Sequence, residues 1–351
     1  MNRILVTGGA GFIGSHTCLL LLDKGYELIV IDSFVNSNPE SLKRVSEICK
    51  LKEKSIESNL QVFNVDLRDK QKLEDIFKYY QDQEKNIEAV IHFAGLKSVS
   101  ESISSPLYYW DMNVNSTINL LDIMDKYECR NIVFSSSATI YEASNKYLIN
   151  EKDNLNPINP YGTNKVAIEQ LLTDLYNSSS NKWRIANLRY FNPIGAHESS
   201  LIGEAPVGVP NNLFPLITQV AIGIKKELTI FGNDWPTPDG TGVRDYLHVM
   251  DLAEGHIKAL KYLLENNSQI ININLGTGNG TSVLELLNTF QQVNNIDIPY
   301  VFMERRKGDL ARVVADNSLA ISLLKWNPKM SLEKMCIDGW KWQIQNPRGY
   351  L

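Results

Sequence analysis

The chain has 351 residues, of which 43% are hydrophobic, so it can bury a large core and is not expected to be disordered. Its net charge of −5 at pH 7 gives no overall attraction to nucleic acid or to an anionic membrane. The four cysteines form no Cys-x-x-Cys pair, no apolar run is long enough to span a bilayer, and no signal peptide is recognisable. We therefore expect a cytoplasmic protein without a disulfide framework, a metal site or a membrane partner.

Short apolar segments alternate with longer amphipathic segments through the first half of the chain. The predicted strands are Ile4–Thr7, Leu28–Ile31, Leu60–Val65, Ala89–Phe93 and Asn131–Ser135. The predicted helices lie near Ile13–Lys24, Lys70–Tyr80 and Pro106–Tyr127, and a surface helix is expected within the charged segment Asn36–Ser58. This alternation predicts an α/β fold, in which a Rossmann-like doubly wound parallel sheet carries helices on both faces.

The composition and the strand–helix pattern of the sequence change after about Phe191. Glycine, proline and asparagine become dense through Gly195–Asn212 and Gly232–Gly242, and the alternation is lost. These segments predict a smaller mixed C-terminal lobe with loops facing the carboxyl ends of the strands. Met250–Leu264 and Ile271–Leu275 are expected to return to the first lobe. We therefore predict a first lobe of residues 1–190 plus about 244–275, and a second lobe of 191–243 and 276–351.

A glycine-rich turn follows the first predicted strand. The turn reads Gly8-Gly9-Ala10-Gly11-Phe12-Ile13-Gly14, and a helix pattern comes directly after it. The missing side chains of Gly8, Gly11 and Gly14 permit a tight turn. Main-chain N–H groups, here around Phe12 and Ile13, can then approach a pyrophosphate at the helix N-terminus. The alternative is a turn whose glycines merely allow close packing.

Two acidic residues close the next predicted strands. Asp32 lies eighteen residues after Gly14, where a carboxylate accepts hydrogen bonds from ribose hydroxyls and repels the 2′-phosphate of NADP. The glycine turn and Asp32 together predict NAD as the cofactor. Asp66 follows the third strand, and its position suits either a helix cap or an adenine contact.

Tyr161 and Lys165 are the candidate catalytic pair. Pro160 suits the first turn of a helix, and residues four apart on a helix share a face. Free tyrosine ionises near pH 10, but a nearby ammonium and a cationic nicotinamide ring would lower the pKa of the phenol. Ser137, which ends the strand Ile132–Ser136, could hydrogen-bond the same substrate hydroxyl. These three residues predict proton transfer during oxidation of an alcohol by NAD; the alternative is an ordinary exposed helix face.

Several motifs resemble known families. Four segments resemble motifs of the extended short-chain dehydrogenase/reductase superfamily. They are Thr7–Gly14, His92-Phe93-Ala94-Gly95-Leu96-Lys97, Ser135-Ser136-Ser137-Ala138-Thr139 and Tyr161–Lys165. Four further segments resemble motifs of the UDP-glucose 4-epimerase family in particular. They are Leu188–His197, Pro210-Asn211-Asn212-Leu213, Ile230–Asp234 and Asp239–His248. The resemblance extends over nearly the whole chain, and the second set of motifs is the specific one.

The resemblance implies an NAD-dependent isomerase of galactose metabolism. In that reaction Tyr161 takes the 4-hydroxyl proton while hydride leaves C4 for NAD, which gives a bound 4-ketose. The sugar then swings about its link to the diphosphate, and hydride returns to the opposite face. The partner is a UDP-hexose, no external redox partner is needed, and family members usually form homodimers.

The resemblance also assigns roles to single residues in the NAD-binding first lobe and the UDP-sugar-binding second lobe. Besides the glycine turn, Asp32, Tyr161 and Lys165, it assigns to the cofactor Asn36, Ser37, Asp66, Leu67, Phe93, Ala94, Gly95, Lys97, Asn113 and Tyr190. It assigns to the diphosphate Asn192, Asn212 and Leu213, with Arg244 and Arg306 on the phosphates. It assigns Thr229, Ile230 and Phe231 to uracil and Asp309 to the uridine ribose. The remaining substrate contacts are Lys97, Ser137, Tyr161, Tyr246 and Val313.

Two other functions compete with epimerisation. Related dehydratases carry an Asp-Glu pair after the strand-end threonine, whereas Ser137 is followed here by Ala138-Thr139 and no carboxylate occurs before Glu142. A decarboxylase is a further alternative within the superfamily. A catalytically silent NAD-binding regulator would not need Ser137, Tyr161 and Lys165 together.

One position departs from part of the family. Some epimerases carry a tyrosine four residues after the aspartate of an Arg-Arg-x-Gly-Asp motif, and it narrows the hexose pocket. Val313 stands at that position here, beside Arg312. A smaller side chain leads us to expect that UDP-GlcNAc and UDP-GalNAc are also accepted.

Overall fold

The computed structural model describes residues 2–51, 59–143, 146–178, 182–208, 210, 212–306 and 308–351. The strands are β1 (Arg3–Thr7), β2 (Glu27–Asp32), β3 (Leu60–Asn64), β4 (Ala89–His92), β5 (Asn131–Ser135), β6 (Arg184–Tyr190), β7 (Asn192–Ile194), β8 (Leu228–Phe231), β9 (Val243–Arg244), β10 (Tyr246–His248), β11 (Gln269–Leu275), β12 (Thr281–Ser282), β13 (Tyr300–Met303) and β14 (Arg312–Val313). The helices are α1 (Phe12–Asp23), α2 (Glu40–Leu51), α3 (Lys70–Asp82), α4 (Val99–Ser104), α5 (Pro106–Tyr109), α6 (Ser116–Lys126), α7 (Pro160–Ser178), α8 (Leu213–Ala221), α9 (Val249–Glu265), α10 (Val283–Asn294), α11 (Ser318–Leu324) and α12 (Leu332–Gln345).

Two compact units make up the chain. The first consists of Met1–Tyr141, Leu155–Arg189 and Ala253–Ile273. The second consists of Glu142–Asn154, Tyr190–Leu252 and Asn274–Leu351. No helix in the described part of the chain is both long and apolar enough to cross a membrane.

A seven-stranded sheet in the order β11-β6-β5-β4-β1-β2-β3 forms the centre of the first unit. The chain builds outward from β1 through β2 to β3, then crosses to β4 on the other side of β1 and continues through β5 and β6. Strand β1 therefore lies between two parallel neighbours, with Val6 opposite Val30 and Ile91. The order of the strands reverses between β1 and β4, which is where doubly wound sheets bind their ligands. The predicted fold class is confirmed.

Burial explains why the central strands are almost continuously apolar. Ile4, Leu5 and Val6 of β1 are fully buried because helices cover both faces of a parallel sheet. Strand β3 lies at the edge, and its residues are only partly buried or exposed. One apolar cluster joins β1, β2 and β4–β6 to α3, α6 and α7, and includes Phe77 and Trp183. The core of the first unit is thus the sheet and the helices packed on it.

Two helical segments differ from what the sequence predicts. The predicted helix Pro106–Tyr127 consists of α5, a π-helical turn at Trp110–Asn115, and α6. Helix α4 precedes them in a segment for which no helix was predicted. Helix α2 is the expected surface helix: Lys43 and Glu47 are exposed, and the opposite side, including Leu42, Val45 and Ile48, is buried. The rest of the predicted charged helix, residues 52–58, lies outside the described residues.

The described residues of the second unit form three small sheets and a separate core. The sheets are β7–β10, β12–β9–β14 and β8–β13, with both parallel and antiparallel pairs. Their core packs Ile217, Ile230, Leu287 and Phe290 against residues of α12. The predicted mixed C-terminal lobe is therefore present. The predicted return segments form α9 and β11, and β11 is an edge strand of the large sheet.

Candidate active site

The glycine turn connects β1 to α1 in the first unit. Gly8 has φ +68, and a Cβ built there would lie 2.6 Å from the main-chain nitrogen of Ala94. A Cβ on Gly14 would lie 2.3 Å from the Gly8 carbonyl oxygen. Gly11 precedes α1 and offers no side-chain cap, so main-chain N–H groups remain exposed to a ligand at the N-terminus of α1. The turn fits a pyrophosphate because its glycines leave the main-chain N–H groups accessible at the N-terminus of α1, which is the positive end of the helix dipole.

Asp32 lies at the carboxyl end of β2 beside this turn. Its Oδ2 accepts from the Ala10 N–H at 2.9 Å, and its Oδ1 accepts from the Phe34 N–H at 2.9 Å and the Ser37 hydroxyl at 2.7 Å. The Asn36 amide donates to the Gly95 carbonyl at 3.5 Å. A carboxylate offers about four acceptor sites, so Asp32 can take one further donor, such as a ribose hydroxyl. The structure thus brings Ser37 to Asp32 and Asn36 to the Gly95 carbonyl.

Asp66 does not cap the following helix. The cap of α3 is Asp69, whose side chain accepts from the Lys72 N–H, while Asp66 is paired with the Arg68 guanidinium at 2.7 Å. The Arg68 hydrogen bonds lower the pKa of the Asp66 carboxyl. The helix-cap interpretation of Asp66 is therefore wrong, because the N-cap of the helix lies three residues later, at Asp69. Leu67 is buried beside it.

The segment after β4 is held by the π-helical turn. The Asn113 side chain accepts from the Leu96 N–H at 2.7 Å and donates to the Leu96 carbonyl at 3.1 Å. A Cβ on Gly95 would meet the Asn113 Oδ1 at 3.1 Å. Asn113 therefore acts by fixing the segment Phe93–Lys97, in which the Lys97 side chain is exposed.

His92, the last residue of β4, lies directly before the same segment and is held by two hydroxyl groups. Its ring nitrogens contact the hydroxyl oxygens of Thr7 at 2.7 Å and Thr117 at 2.9 Å. Complete burial, followed by the nearby Lys165 charge, lowers its pKa to about 3. His92 is thus a neutral structural hydrogen-bonding group. It was not among the predicted site residues.

Tyr161 and Lys165 lie on one face of α7, as the four-residue spacing predicts. Both are buried, and the Lys165 Nζ is 5.8 Å from the centre of the Tyr161 ring and 4.7 Å from that of Phe134. The ammonium donates to the Ser135 carbonyl at 2.7 Å. Burial lowers the pKa of Lys165 to about 8, against the opposing field of Glu169. A cation is therefore held next to the phenol.

Ser137 follows the same strand end. Its Oγ accepts from the Thr139 N–H at 3.2 Å and is 3.0 Å from the Thr139 hydroxyl. The Tyr161 side chain packs in a small cluster with Leu96, Tyr109 and Met112. The structure thus brings the strand end carrying Ser137 to the start of the helix carrying Tyr161.

A charged cluster forms in the second unit around Arg244. The Arg306 Nε donates to the Asp309 carboxylate at 3.0 Å, and the Arg244 Nη2 is 3.8 Å from the same carboxylate. The Arg306 guanidinium lies 4.9 Å from the centre of the Phe231 ring. Val313 is paired with Arg244 in the β9–β14 register. Two cations, a carboxylate and an aromatic face therefore meet at one place, a combination that suits a phosphate, a ribose and a base.

Other residues of the predicted nucleotide site lie on neighbouring elements. Asn192 is opposite Tyr246 in the β7–β10 pair, and burial raises the pKa of the Tyr246 phenol to about 12. Asn212 precedes Leu213 at the start of α8, and its side chain does not cap that helix. Asn211 lies outside the described residues. Thr229 is half-buried, but the Ile230 side chain is core, so only its main chain can reach a ligand. Tyr190 ends β6.

Asp245 holds the strands of this cluster, although no sequence pattern singled it out. Its buried carboxylate accepts from the Thr277 N–H at 2.8 Å, the Gly278 N–H at 3.0 Å and the Ala315 N–H at 3.1 Å. Burial raises the pKa of Asp245, and these hydrogen bonds oppose it. Its position between Arg244 and Tyr246, two predicted substrate contacts, is the feature of the sequence that could have indicated a role for Asp245.

The doubly wound sheet, the glycine turn, and a tyrosine and a lysine one turn apart on α7 define an extended short-chain dehydrogenase/reductase. A family model described as GDP-mannose 4,6 dehydratase matches residues 5–338. The UDP-glucose 4-epimerase of Bacillus subtilis strain 168 is 50% identical over 347 residues, covering 99% of this chain and 98% of its own. That of Dictyostelium discoideum is 47% identical, with 99% and 98% covered.

Solved structures agree with these sequence relatives. The UDP-glucose 4-epimerase of Bifidobacterium longum, in complex with NAD+ and UDP, superposes with a TM-score of 0.90 at 43% identity, covering 99% of this chain and 100% of that one. The enzyme from Stenotrophomonas maltophila, with bound NAD and formylated UDP-arabinopyranose, gives 0.92 at 43% identity, with 99% of both chains covered. The chain therefore belongs to the UDP-glucose 4-epimerase family, whose enzymes are isomerases.

Proposed function

We propose that this protein interconverts UDP-glucose and UDP-galactose, with NAD as its resident cofactor. The observation that carries the proposal is the buried Lys165 ammonium 5.8 Å from the Tyr161 ring, at the strand end that bears Ser137. Membership of the epimerase family supports the substrate, and relatives crystallised with NAD and UDP support both ligands.

The residues of the first unit fit NAD. The glycine turn would hold the pyrophosphate against the N-terminus of α1, and Asp32 would take a ribose hydroxyl with the remaining capacity of its carboxylate. NAD, when bound, would accept hydride from C4 of the sugar and return it to the opposite face. Close fit between Gly8 and Ala94 leaves no room for a side chain in this turn, which supports its use as a cradle.

Three side chains would handle the proton. Tyr161 would remove the proton of the 4-hydroxyl as hydride leaves, and would return it after the sugar has turned. The Lys165 ammonium would stabilise the phenolate, and a cation so close favours the charged form of the phenol. Ser137 would hydrogen-bond the same sugar oxygen and orient it.

The charged cluster of the second unit would bind the nucleotide. Arg244 and Arg306 would pair with phosphates, Asp309 would take the uridine ribose, and the Phe231 face would pack on uracil. Guanidinium forks suit phosphate, and the face of a phenyl ring suits a base. Strong binding of UDP leaves the hexose free to turn about its diphosphate link, which inversion at C4 requires.

Dehydration is the less favoured chemistry. Thr139, which follows Ser137 closely, contacts the Ser137 hydroxyl, and the segment between Ser137 and Glu142 supplies no carboxylic acid for loss of water. A silent NAD-binding regulator is disfavoured by the complete Ser137, Tyr161 and Lys165 set.

Incubation of the purified protein with UDP-galactose tests the proposal. UDP-glucose should appear without any added electron acceptor, and the NAD released by denaturing the protein should be close to equimolar. A protein that carries NAD but leaves UDP-galactose unchanged would be a regulator. Formation of a 4-keto-6-deoxy sugar would indicate a dehydratase.

We also propose that UDP-GlcNAc and UDP-GalNAc are substrates, because Val313 is small at a position where part of the family has tyrosine. The UDP-Glc/GlcNAc 4-epimerase of Campylobacter jejuni has a similar structure, with a TM-score of 0.83 at 31% identity. Val313→Tyr should lower turnover of the acetamido sugars relative to the plain hexoses, whereas Val313→Ala should leave the ratio high. An unchanged ratio in Val313→Tyr would contradict the idea.

We further propose that the protein is a cytoplasmic homodimer. Exposed apolar side chains of the helices after β4 support self-association, among them Ile103, Leu107 and Trp110. Sedimentation of the NAD-loaded protein should give twice the chain mass, and a single-chain mass would count against a dimer.

A further inference from the structure

A buried ion pair lies beside the proposed proton-transfer residues. Glu169 is four residues after Lys165 on α7, and Arg189 is on β6. The Arg189 Nη2 is 2.6 Å from the Glu169 Oε2, and the Arg189 Nε is 3.0 Å from Oε1. Side-chain exposure is 3% for Arg189 and 6% for Glu169. Both charges are therefore removed from solvent and held in one geometry.

Neutral hydroxyl groups complete the hydrogen bonds of this pair. The Ser136 hydroxyl donates to the Glu169 Oε1 at 2.6 Å, and the Arg189 Nη1 donates to the Tyr141 hydroxyl oxygen at 3.1 Å. The pair is therefore well satisfied. A buried pair of this kind contributes little net stability compared with apolar residues of the same size, because desolvation offsets the attraction. Its presence beside Lys165 points to a role in the site.

The pair is oriented with its negative end toward Lys165. Residues four apart on a helix face the same way, so the Glu169 carboxylate and the Lys165 ammonium share one face of α7. Their hydrogen bonds also reach consecutive residues of the same strand end, the Ser135 carbonyl and the Ser136 hydroxyl. Burial lowers the pKa of Lys165 to about 8, and Glu169 acts against that decrease.

The titratable groups His92, Glu101 and Asp111 lie on elements around α7, and each is neutral or hydrogen-bonded to a partner other than Lys165. His92 on β4 is neutral, because burial lowers its pKa to about 3. Glu101 on α4 accepts from the Tyr109 hydroxyl at 2.8 Å, and Asp111 in the π-helical turn is paired with Arg68. Among the described residues, Glu169 is the carboxylate whose field acts on the Lys165 ammonium.

We propose that Glu169 is a positioning residue of the epimerase site: held by Arg189 and Ser136, its carboxylate keeps the buried Lys165 ammonium charged and ties it to the strand end that carries Ser137. This inference rests on the proposed function for its catalytic consequence. The position of the charge, and its effect on Lys165, can be tested without turnover.

Two variants separate electrostatics from folding. Glu169→Gln removes the charge and keeps the shape, but it leaves Arg189 buried without its partner. The double variant Glu169→Gln, Arg189→Met removes both charges, so it leaves no unpaired ion and is expected to fold. Asp338→Asn is the matched control, because Asp338 is a buried carboxylate paired with Lys334 and His248 in the second unit.

Side-chain NMR of NAD-loaded protein labelled with carbon-13 at lysine, recorded from pH 6 to 10 and assigned with Lys165→Arg, gives the midpoint for Lys165. Glu169→Gln should lower that midpoint by about one to three pH units, the effect of losing an opposite charge, and the double variant should lower it by less because the Arg189 cation is removed as well. Asp338→Asn should leave it unchanged. The alkaline limb of the kcat profile with UDP-galactose should move to lower pH in parallel.

A double variant with the wild-type Lys165 midpoint and the wild-type kcat profile would overturn the proposal, and the pair would then be structural only. If the wild-type protein does not epimerise UDP-galactose, the proposed function fails. The NMR midpoint would still decide whether Glu169 controls the charge of Lys165.

Discussion

At the residue scale, Lys165 is a charged side chain in a buried position, and its surroundings determine how far the pKa of its ammonium is lowered. Removal from water lowers the pKa of its ammonium to about 8, so the group is still mostly charged at pH 7. One N–H of the ammonium donates to the Ser135 carbonyl, which holds the charge beside Tyr161. The site therefore supplies a cation to the phenol without a solvent-exposed lysine.

Tyr161→Phe tests the role of the phenol. Turnover of UDP-galactose should fall by roughly two to four orders of magnitude, because the acid/base group is lost while the ring and its packing remain. Steady-state assays measure kcat, and calorimetry with UDP measures binding. UDP affinity should stay within a few-fold of wild type, and a tenfold loss would count against the assigned role.

Tyr26→Phe provides the control for that substitution. Tyr26 begins the approach to β2 and contributes to none of the proposed sites, so its loss should leave kcat unchanged. Equal losses in the two variants would mean that phenol removal acts through stability.

At the element scale, the helical stretch after α4 shows how local irregularity serves the site. The π-helical turn Trp110–Asn115 widens the helix and directs Asn113 at both polar groups of Leu96. A regular α-helix through the same residues would present a different side chain to this segment, because each π-helical turn adds a residue. The turn therefore fixes the segment that carries Lys97.

The turn between β1 and α1 gives the element-scale prediction. Gly14→Ala would place a Cβ 2.3 Å from the Gly8 carbonyl oxygen, so the turn must open. NAD occupancy after purification should fall at least tenfold, because the main-chain N–H groups lose their alignment. Gly25→Ala is the control: Gly25 has φ +84, and the added Cβ meets no atom within 4 Å.

Gly25→Ala should lower the melting temperature through backbone strain alone and keep its NAD. If Gly14→Ala also keeps full NAD occupancy, the close fit of this turn does not serve the cofactor.

At the scale of the whole molecule, buried ionisable groups set the dependence of stability on pH. The folded-state pKa of His92 is about 3, below the value of 6.5 for an exposed histidine. Between these values the unfolded chain binds a proton that the folded chain does not. Stability from this group is therefore present above about pH 6.5 and is lost as the pH falls toward 3.

His92→Gln tests that assignment. The variant should be less stable at pH 7, since Thr7 and Thr117 lose their partner, but its stability should fall less steeply between pH 6.5 and 4.5. The difference in slope should approach about 1.4 kcal/mol per pH unit. Urea unfolding at several pH values measures it, and parallel curves for the two proteins would show that His92 is protonated in the folded state.

Sequence alone determined the elements whose signals are local. Alternating apolar strands and helices gave the doubly wound sheet, because a strand buried on both faces must be apolar throughout. The four-residue spacing placed Tyr161 and Lys165 on one helix face, because helical geometry is fixed by the backbone. The glycine turn and Asp32 were recognisable for the same reason, because the local backbone conformation and the position at a strand end determine which residue types occur there.

Only the tertiary structure decided which groups share an environment. It paired Asp66 with Arg68 instead of with the helix, it introduced the π-helical turn that carries Asn113, and it brought Arg189 from β6 to Glu169 on α7. Such contacts depend on the register of strands and on burial, and neither is encoded by residues adjacent in the chain. The electrostatics of the site therefore had to be read from the folded molecule.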